Sequence, residues 1–156
     1  MNKTKLEKCE FCNSELEWFM QSDNFYAIYN IAPVLTGHSL IIPKWHVESV
    51  MDLSEEELSE MVIFSRKCIK VLIKVFSADS FNWTIQEGEN SGQTIKHLHL
   101  HLIPRKKGDL AHPGDWYPKL TRQFKHGIID SKRRHRLTKE EIRIIVSHIK
   151  KIANDI

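Results

Sequence analysis

Gly92-Gln93-Thr94-Ile95-Lys96-His97-Leu98-His99-Leu100-His101-Leu102-Ile103-Pro104-Arg105 is the stretch whose reading decides the fold. From His97 to Leu102 histidine and leucine alternate strictly, and a period of two is the signature of a β-strand. Successive strand side chains leave from opposite faces, so His97, His99 and His101 share one face while Leu98, Leu100 and Leu102 enter a core behind it. Three imidazoles in a row need hydrogen-bond partners or a metal, because burying their nitrogens unpaired costs stability. The row therefore marks a site.

Upstream, Phe81-Asn82-Trp83-Thr84-Ile85-Gln86 alternates again, with Phe81, Trp83 and Ile85 on one face, and predicts a neighbouring antiparallel strand. The turn-rich loop from Glu87 to Gly92 joins the two, which brings Gln86 and Gln93 to the imidazole end. Phe25–Tyr29 and Ser39–Ile42 read as two more strands, separated by the turn Asn30-Ile31-Ala32-Pro33 and by Gly37-His38. Glu15–Met20 fits a short helix or a strand. Ser54 and Glu57 make a capping box that opens a helix running to Phe76, with Leu58, Met61, Val62, Ile69, Leu72, Ile73 and Phe76 on one broad face over the sheet. Thr138 and Glu141 open a final helix whose apolar face is Ile142, Ile145, Val146 and Ile149, and Lys150-Lys151 suits the negative end of its dipole. The expected fold is α+β over residues 1–156 as one domain: an antiparallel sheet of about five strands, a long packed helix and a C-terminal helix near an edge or interface.

Apolar residues at 41% and charged residues at 28% exclude a disordered chain and give no membrane span. The net charge of +3, with nine histidines, favours an anionic small-molecule ligand; nucleic acid would call for a longer basic stripe. Three cysteines make no disulfide framework and no apolar leader follows Met1, so a reducing cytoplasm is expected. Cys68 falls near the apolar stripe of the long helix and reads as a small buried hydrophobe. Cys9-Glu10-Phe11-Cys12 supplies half of a tetrahedral zinc site, which leaves metal binding, redox chemistry and accident open; His46 is the first residue that would extend it. Trp116 and Tyr117 would stack on a base, cap the core or meet another subunit. Lys132-Arg133-Arg134-His135-Arg136 reads as a solvated basic connection, with attraction for phosphates as the alternative.

The run from His97 to Ile103 resembles the signature of the histidine triad (HIT) superfamily of nucleotide hydrolases and transferases. The likeness extends to Gly92-Gln93-Thr94, to Gln86-Glu87-Gly88, to Gly37–Pro43 and to Asn30, and covers about residues 9–109. Gly92–Asp109 is most similar to the fragile-histidine-triad branch, whose members hydrolyse diadenosine polyphosphates, while the start resembles zinc-containing bacterial members. The resemblance implies that His99 attacks the α phosphorus to give a nucleoside-monophosphoryl-histidine, that His101 stabilises the phosphate oxygens, and that His38 supports the triad. It also implies that Gln93 holds phosphate or the leaving oxygen, that Gln86 and Thr94 lie at the substrate, and that Asn30 meets the ribose. Cys9, Cys12, His46 and His97 would hold a structural zinc ion, and a magnesium or manganese ion would accompany the polyphosphate.

Retention of His101 and of the leucines favours hydrolysis over transfer to a sugar phosphate. Family members usually dimerise through a continuous sheet, so a homodimer is expected, with Trp116 and Ile142–Ile149 as interface candidates. Three other functions stand beside the leading one. The first is a purine nucleoside phosphoramidase or acyl-adenylate hydrolase releasing AMP, and the second a nucleotide-binding regulatory protein with little turnover. The third, a structural zinc domain that happens to be rich in histidine, leaves His99 and His101 without a reason.

Overall fold

A computed structural model describes residues 3–12, 15–116 and 134–154. Five strands, β1 (Trp18–Gln21), β2 (Phe25–Tyr29), β3 (Ser39–Pro43), β4 (Ser80–Ile85) and β5 (Leu100–Arg105), form one sheet in the order β1-β2-β3-β5-β4. Every neighbouring pair is antiparallel. With the helices α1 (Glu55–Phe76) and α2 (Lys139–Ala153), this is the α+β arrangement expected from the alternation of short strands and two capped helices. The ambiguous Glu15–Met20 segment is a strand from Trp18 onward, paired with β2 and interrupted by a register shift between Trp18 and Met20.

The histidine-rich segment departs from the expected strand in one respect. Its ladder begins only at Leu100, because the Leu98 N–H donates to the Val47 carbonyl at 2.7 Å, in the loop after β3. Alternation survives this detour: Leu98, Leu100 and Leu102 are buried in the core, and all three histidines are buried on the other face. Pairing of Leu40 with His101 and of Ile41 with Leu100 sorts β3 into the same two faces. One face carries Ile28, Leu40 and His101; the other carries Ala27, Ile41 and Leu100 against α1.

Ser54 caps α1 as expected, accepting from the Glu57 N–H at 3.2 Å while Glu57 accepts from the Ser54 N–H at 3.0 Å. The buried stripe runs through Met61, Phe64, Ser65, Cys68, Ile69, Val71 and Leu72, and it confirms Cys68 as a core residue. Leu58 and Val62, expected on that stripe, are 39% and 46% exposed: Val62 lies at the flank of a contact face centred on Met61, Ser65, Cys68 and Leu72, and Leu58 stands in the first turn of the helix. Trp83 and Ile85 pack against the core, whereas Phe81 at the start of the edge strand β4 is 43% exposed.

The assignment of Ile142–Ile149 to a subunit interface is corrected. Ile142, Val146 and Ile149 are buried within this chain, where α2 packs against α1 and β1. An amphipathic helix needs one apolar partner surface, and here the chain supplies it.

Candidate functional site

His38 enters the site from the turn before β3. Gly37 makes that turn at a φ of 88°, and a Cβ there would come within 2.8 Å of the Phe76 ring and 2.9 Å of Pro104, so only glycine fits. The fully buried His38 ring then accepts the Val34 N–H at Nδ1 (3.2 Å), which places its proton on Nε2. From there it donates to His101 Nδ1 at 2.8 Å. His101 in turn carries its proton on Nε2, the nitrogen away from His38. A backbone amide therefore sets two tautomers in series and leaves His101 as a fixed N–H donor. Burial lowers His38 from 6.5 to about 3, with the charge of Arg134 and His99 adding to it. Burial also holds His101 well below the ordinary range, with His38, His99 and Arg134 contributing in that order.

His99 has the opposite polarity. Its Nδ1–H donates to the His97 carbonyl at 2.7 Å, which leaves the Nε2 lone pair free. Burial keeps the ring below its ordinary value, although the His97 carbonyl and the Glu87 charge pull it back up. A neutral imidazole with a fixed tautomer is a nucleophile, and the neighbouring His101 ring, 5.0 Å away centroid to centroid, presents a proton donor. Both rings line a cavity of about 410 Å³ whose apolar walls include Leu16, Ile28, Leu40 and Ile95. Such a cavity suits a flat aromatic base on its apolar lining and an anion at the two imidazoles.

His97 turns away from this cavity. Its ring Nε2–H donates to the Pro43 carbonyl at 3.2 Å, so Nδ1 carries the lone pair, 3.4 Å from Cys9 Sγ and 3.6 Å from Cys12 Sγ. His46 Nδ1 lies 3.7 Å from Cys12 Sγ, and its other nitrogen lies 3.6 Å from a Glu48 carboxylate oxygen. One ligand atom from each of Cys9, Cys12, His46 and His97 falls within 4.8 Å of the others. Two thiols and two imidazoles, each ring oriented by a second hydrogen-bond partner or carboxylate, fit a tetrahedral zinc ion. Burial raises the Cys9 thiol and lowers His97 to about 4; a bound divalent cation favours the thiolate and the neutral ring. Phe11, between the two cysteines, packs edge-on against both His97 and His99, with centroids 5.6 and 5.5 Å away. The four candidate metal ligands and His99 thus share one wall.

The supporting residues divide. Asn30 lines the cavity, accepts the Ala32 N–H at 2.9 Å and turns its amide nitrogen to within 3.4 Å of His38 Nε2. Thr94 also lines the cavity. Gln86 donates to Thr84 Oγ1 at 3.1 Å, one residue beyond the pairing of Ile85 with Leu100. Gln93 braces its own loop, accepting from the Gly88 N–H at 2.7 Å and donating to the Glu48 carbonyl at 3.1 Å. Trp116 is half-buried after the turn at Pro113–Asp115, and Tyr117, Lys132 and Arg133 lie outside the described residues. Of the basic cluster, His135 and Arg136 are exposed, as a solvated connection would be, but Arg134 is half-buried and lines the cavity of His99 and His101. Residue types gave no signal for the backbone groups that set the tautomers, Val34 N–H and the carbonyls of His97 and Pro43.

The family model described as HIT domain matches residues 13–108. A bis(5'-adenosyl)-triphosphatase of Dictyostelium discoideum is 36% identical over 107 residues, 69% of this chain and 72% of that protein. A bis(5'-nucleosyl)-tetraphosphatase (asymmetrical) of Schizosaccharomyces pombe is 45% identical over 85 residues, 54% of this chain and 47% of that protein, so the match spans about half of that relative. Among solved structures, a hypothetical histidine triad nucleotide-binding protein of Sulfolobus tokodaii aligns with a TM-score of 0.73 at 26% identity, over 94% of this chain and 93% of that one.

Proposed function

Because the chain belongs to the HIT family, we propose that it is a nucleotide hydrolase that cleaves dinucleoside polyphosphates, such as diadenosine tri- or tetraphosphate, at the α phosphate. The observation that carries this reading is the free Nε2 of His99, set by the 2.7 Å bond from Nδ1 to the His97 carbonyl and aimed into a cavity beside the His101 donor. The triphosphatase and tetraphosphatase relatives support the substrate class.

In the first step the His99 Nε2 lone pair forms a bond to the α phosphorus as the bond from phosphorus to the bridging oxygen breaks. The departing half takes that electron pair and leaves as a nucleoside polyphosphate. The His101 Nε2–H donates to a nonbridging oxygen where charge accumulates, and His38 holds the donor in place. In the second step water attacks the same phosphorus, the nitrogen–phosphorus bond breaks, and His99 is restored with release of a nucleoside monophosphate. Asn30 and Thr94 border the nucleoside, and Gln86 and Gln93 support the phosphate end from the loop between β4 and β5. Magnesium or manganese would arrive bound to the polyphosphate oxygens.

Cys9, Cys12, His46 and His97 would hold zinc in a structural role. These four residues would thereby tie the N-terminal segment and the loop after β3 to the base of the catalytic segment, leaving the phosphoryl step to His99 and His101. A reducing cytoplasm suits thiols that serve as ligands. Homodimerisation is supported by the outer edge of β4, which pairs with no other strand among the described residues, and by the exposed Phe81, Leu58 and Val62.

A turnover panel of dinucleoside polyphosphates and nucleoside phosphoramidates, run on the parent and on His99→Ala, tests the reading. The parent prefers the polyphosphates and the variant turns over neither. A parent active only on phosphoramidates would make it a phosphoramidase, and nucleotide binding without turnover of any substrate would make it a regulatory binder.

A further inference from the structure

Arg134 comes from outside the stretch that the family model matches, yet it stands in the wall of the catalytic cavity. The segment that carries it is tied down locally: the Leu137 N–H donates to the Ile31 carbonyl at 2.8 Å, next to Asn30. Arg134 is half-buried, and its guanidinium Nε and Nη1 are withdrawn from solvent. We propose that Arg134 is a specificity-determining residue that binds the phosphates of the departing half of the substrate and thereby selects leaving groups that carry negative charge. This rests on the hydrolase reading above and adds to it the residue that makes a polyphosphate better than a neutral leaving group.

The distribution of charge in the cavity carries the inference. Its apolar lining, Leu16, Ile28, Leu40 and Ile95, suits the base. The main chain leaves His99 a lone pair and His101 an N–H for the α phosphate, so the phosphates of the departing half need another partner. Among the described residues, the cations that line the cavity are Arg134, Arg136 and Lys139, all from the C-terminal side. Arg136 and Lys139 are exposed, and Glu10 at the cavity adds a negative charge. Arg134 is the half-buried member of the set and lines the same cavity as His99 and His101, and its charge is felt at His38 and His101. A guanidinium is the side chain best shaped for bidentate contact with phosphate oxygens. Cleavage of a dinucleoside tri- or tetraphosphate develops charge on a leaving group that still carries phosphates, whereas a phosphoramidate releases an amine and gives Arg134 nothing to hold.

The test is the ratio of kcat/KM for diadenosine triphosphate to that for adenosine 5'-phosphoramidate in the parent, Arg134→Ala and Arg134→Lys. Loss of one charge-assisted contact predicts a fall in the ratio of about tenfold or more in the alanine variant. The lysine variant, which keeps the charge without the fork, recovers part of it, and it decides the matter if the alanine variant does not fold. A ratio that stays constant in the variants, whether both activities persist or fall together, overturns the assignment and makes Arg134 a structural residue. Absence of parental turnover on every dinucleoside polyphosphate would overturn the hydrolase reading and this inference with it, an outcome distinct from active parent and constant ratio.

Discussion

Replacing His38 by asparagine should flatten the acid side of the stability profile by about one proton. His38 is fully buried and its value falls from 6.5 to about 3, so between those limits the unfolded chain binds a proton at this position that the folded chain does not. Stability therefore rises with pH through that window, is fully present above 6.5, and is lost as pH falls toward 3. The slope is about 1.4 kcal/mol per pH unit, or about 2 kcal/mol between pH 7 and pH 5, for His38 alone. His101, shifted the same way, adds a second component to the parent's profile. Asparagine keeps an acceptor for the Val34 N–H but cannot titrate. Urea denaturation at pH steps from 7 to 5, with zinc held constant, gives the two profiles. Above pH 5 most carboxylates stay ionised in both states, and the difference between profiles cancels the contribution of the metal ligands. Lines that run parallel for parent and variant would refute the claim that His38 is buried as a neutral ring.

Four other outcomes follow from the same geometry. Replacing Cys9 and Cys12 together by serine should abolish stoichiometric zinc and lower the melting temperature while leaving phosphoryl chemistry detectable; zinc retained at one equivalent would sink the four-ligand assignment. Alanine at His101 removes a preorganised donor and should lower kcat about 100-fold, with the smaller change in KM, in steady-state assays on the best polyphosphate substrate. Leu100→Ala opens the core between the sheet and α1 and should cost about 2–5 kcal/mol in urea melts, whereas Ser54→Ala, which removes a helix cap, should cost about 1 kcal/mol.

Which parts of this were legible in residue order follows from the range of the forces involved. The capping boxes at Ser54 and Thr138 are local, and both helices start where those residues stand. The alternation of histidine and leucine divided two faces correctly, because one buried face fixes the register of every other residue. Where the ladder begins was not legible: Leu98 bonds to Val47, and nothing in either residue type announces that a loop will take the amide. Nor could the apolar face of α2 say whether its partner lay in the same chain or in another, since Ile142, Val146 and Ile149 would look alike in both cases. The assignment of roles to equivalent-looking histidines came from resemblance, and its physical basis lies in main-chain atoms. The His97 carbonyl frees one nitrogen of His99, and the Val34 amide, acting through His38, fixes the donor on His101. Arg134 was visible only as one of a basic run, and its place in the cavity depends on the packing of a distant segment.

Hydrolysis by this site requires a covalent intermediate at His99. Turnover of a dinucleoside polyphosphate quenched in alkali, where a phosphorylated imidazole persists, followed by mass analysis of the proteolytic peptides, reads it directly. The predicted result is a nucleoside-monophosphoryl group on the peptide containing His99, localised to that ring and missing from His99→Ala. The same group on another residue, or full turnover by His99→Ala, would contradict it.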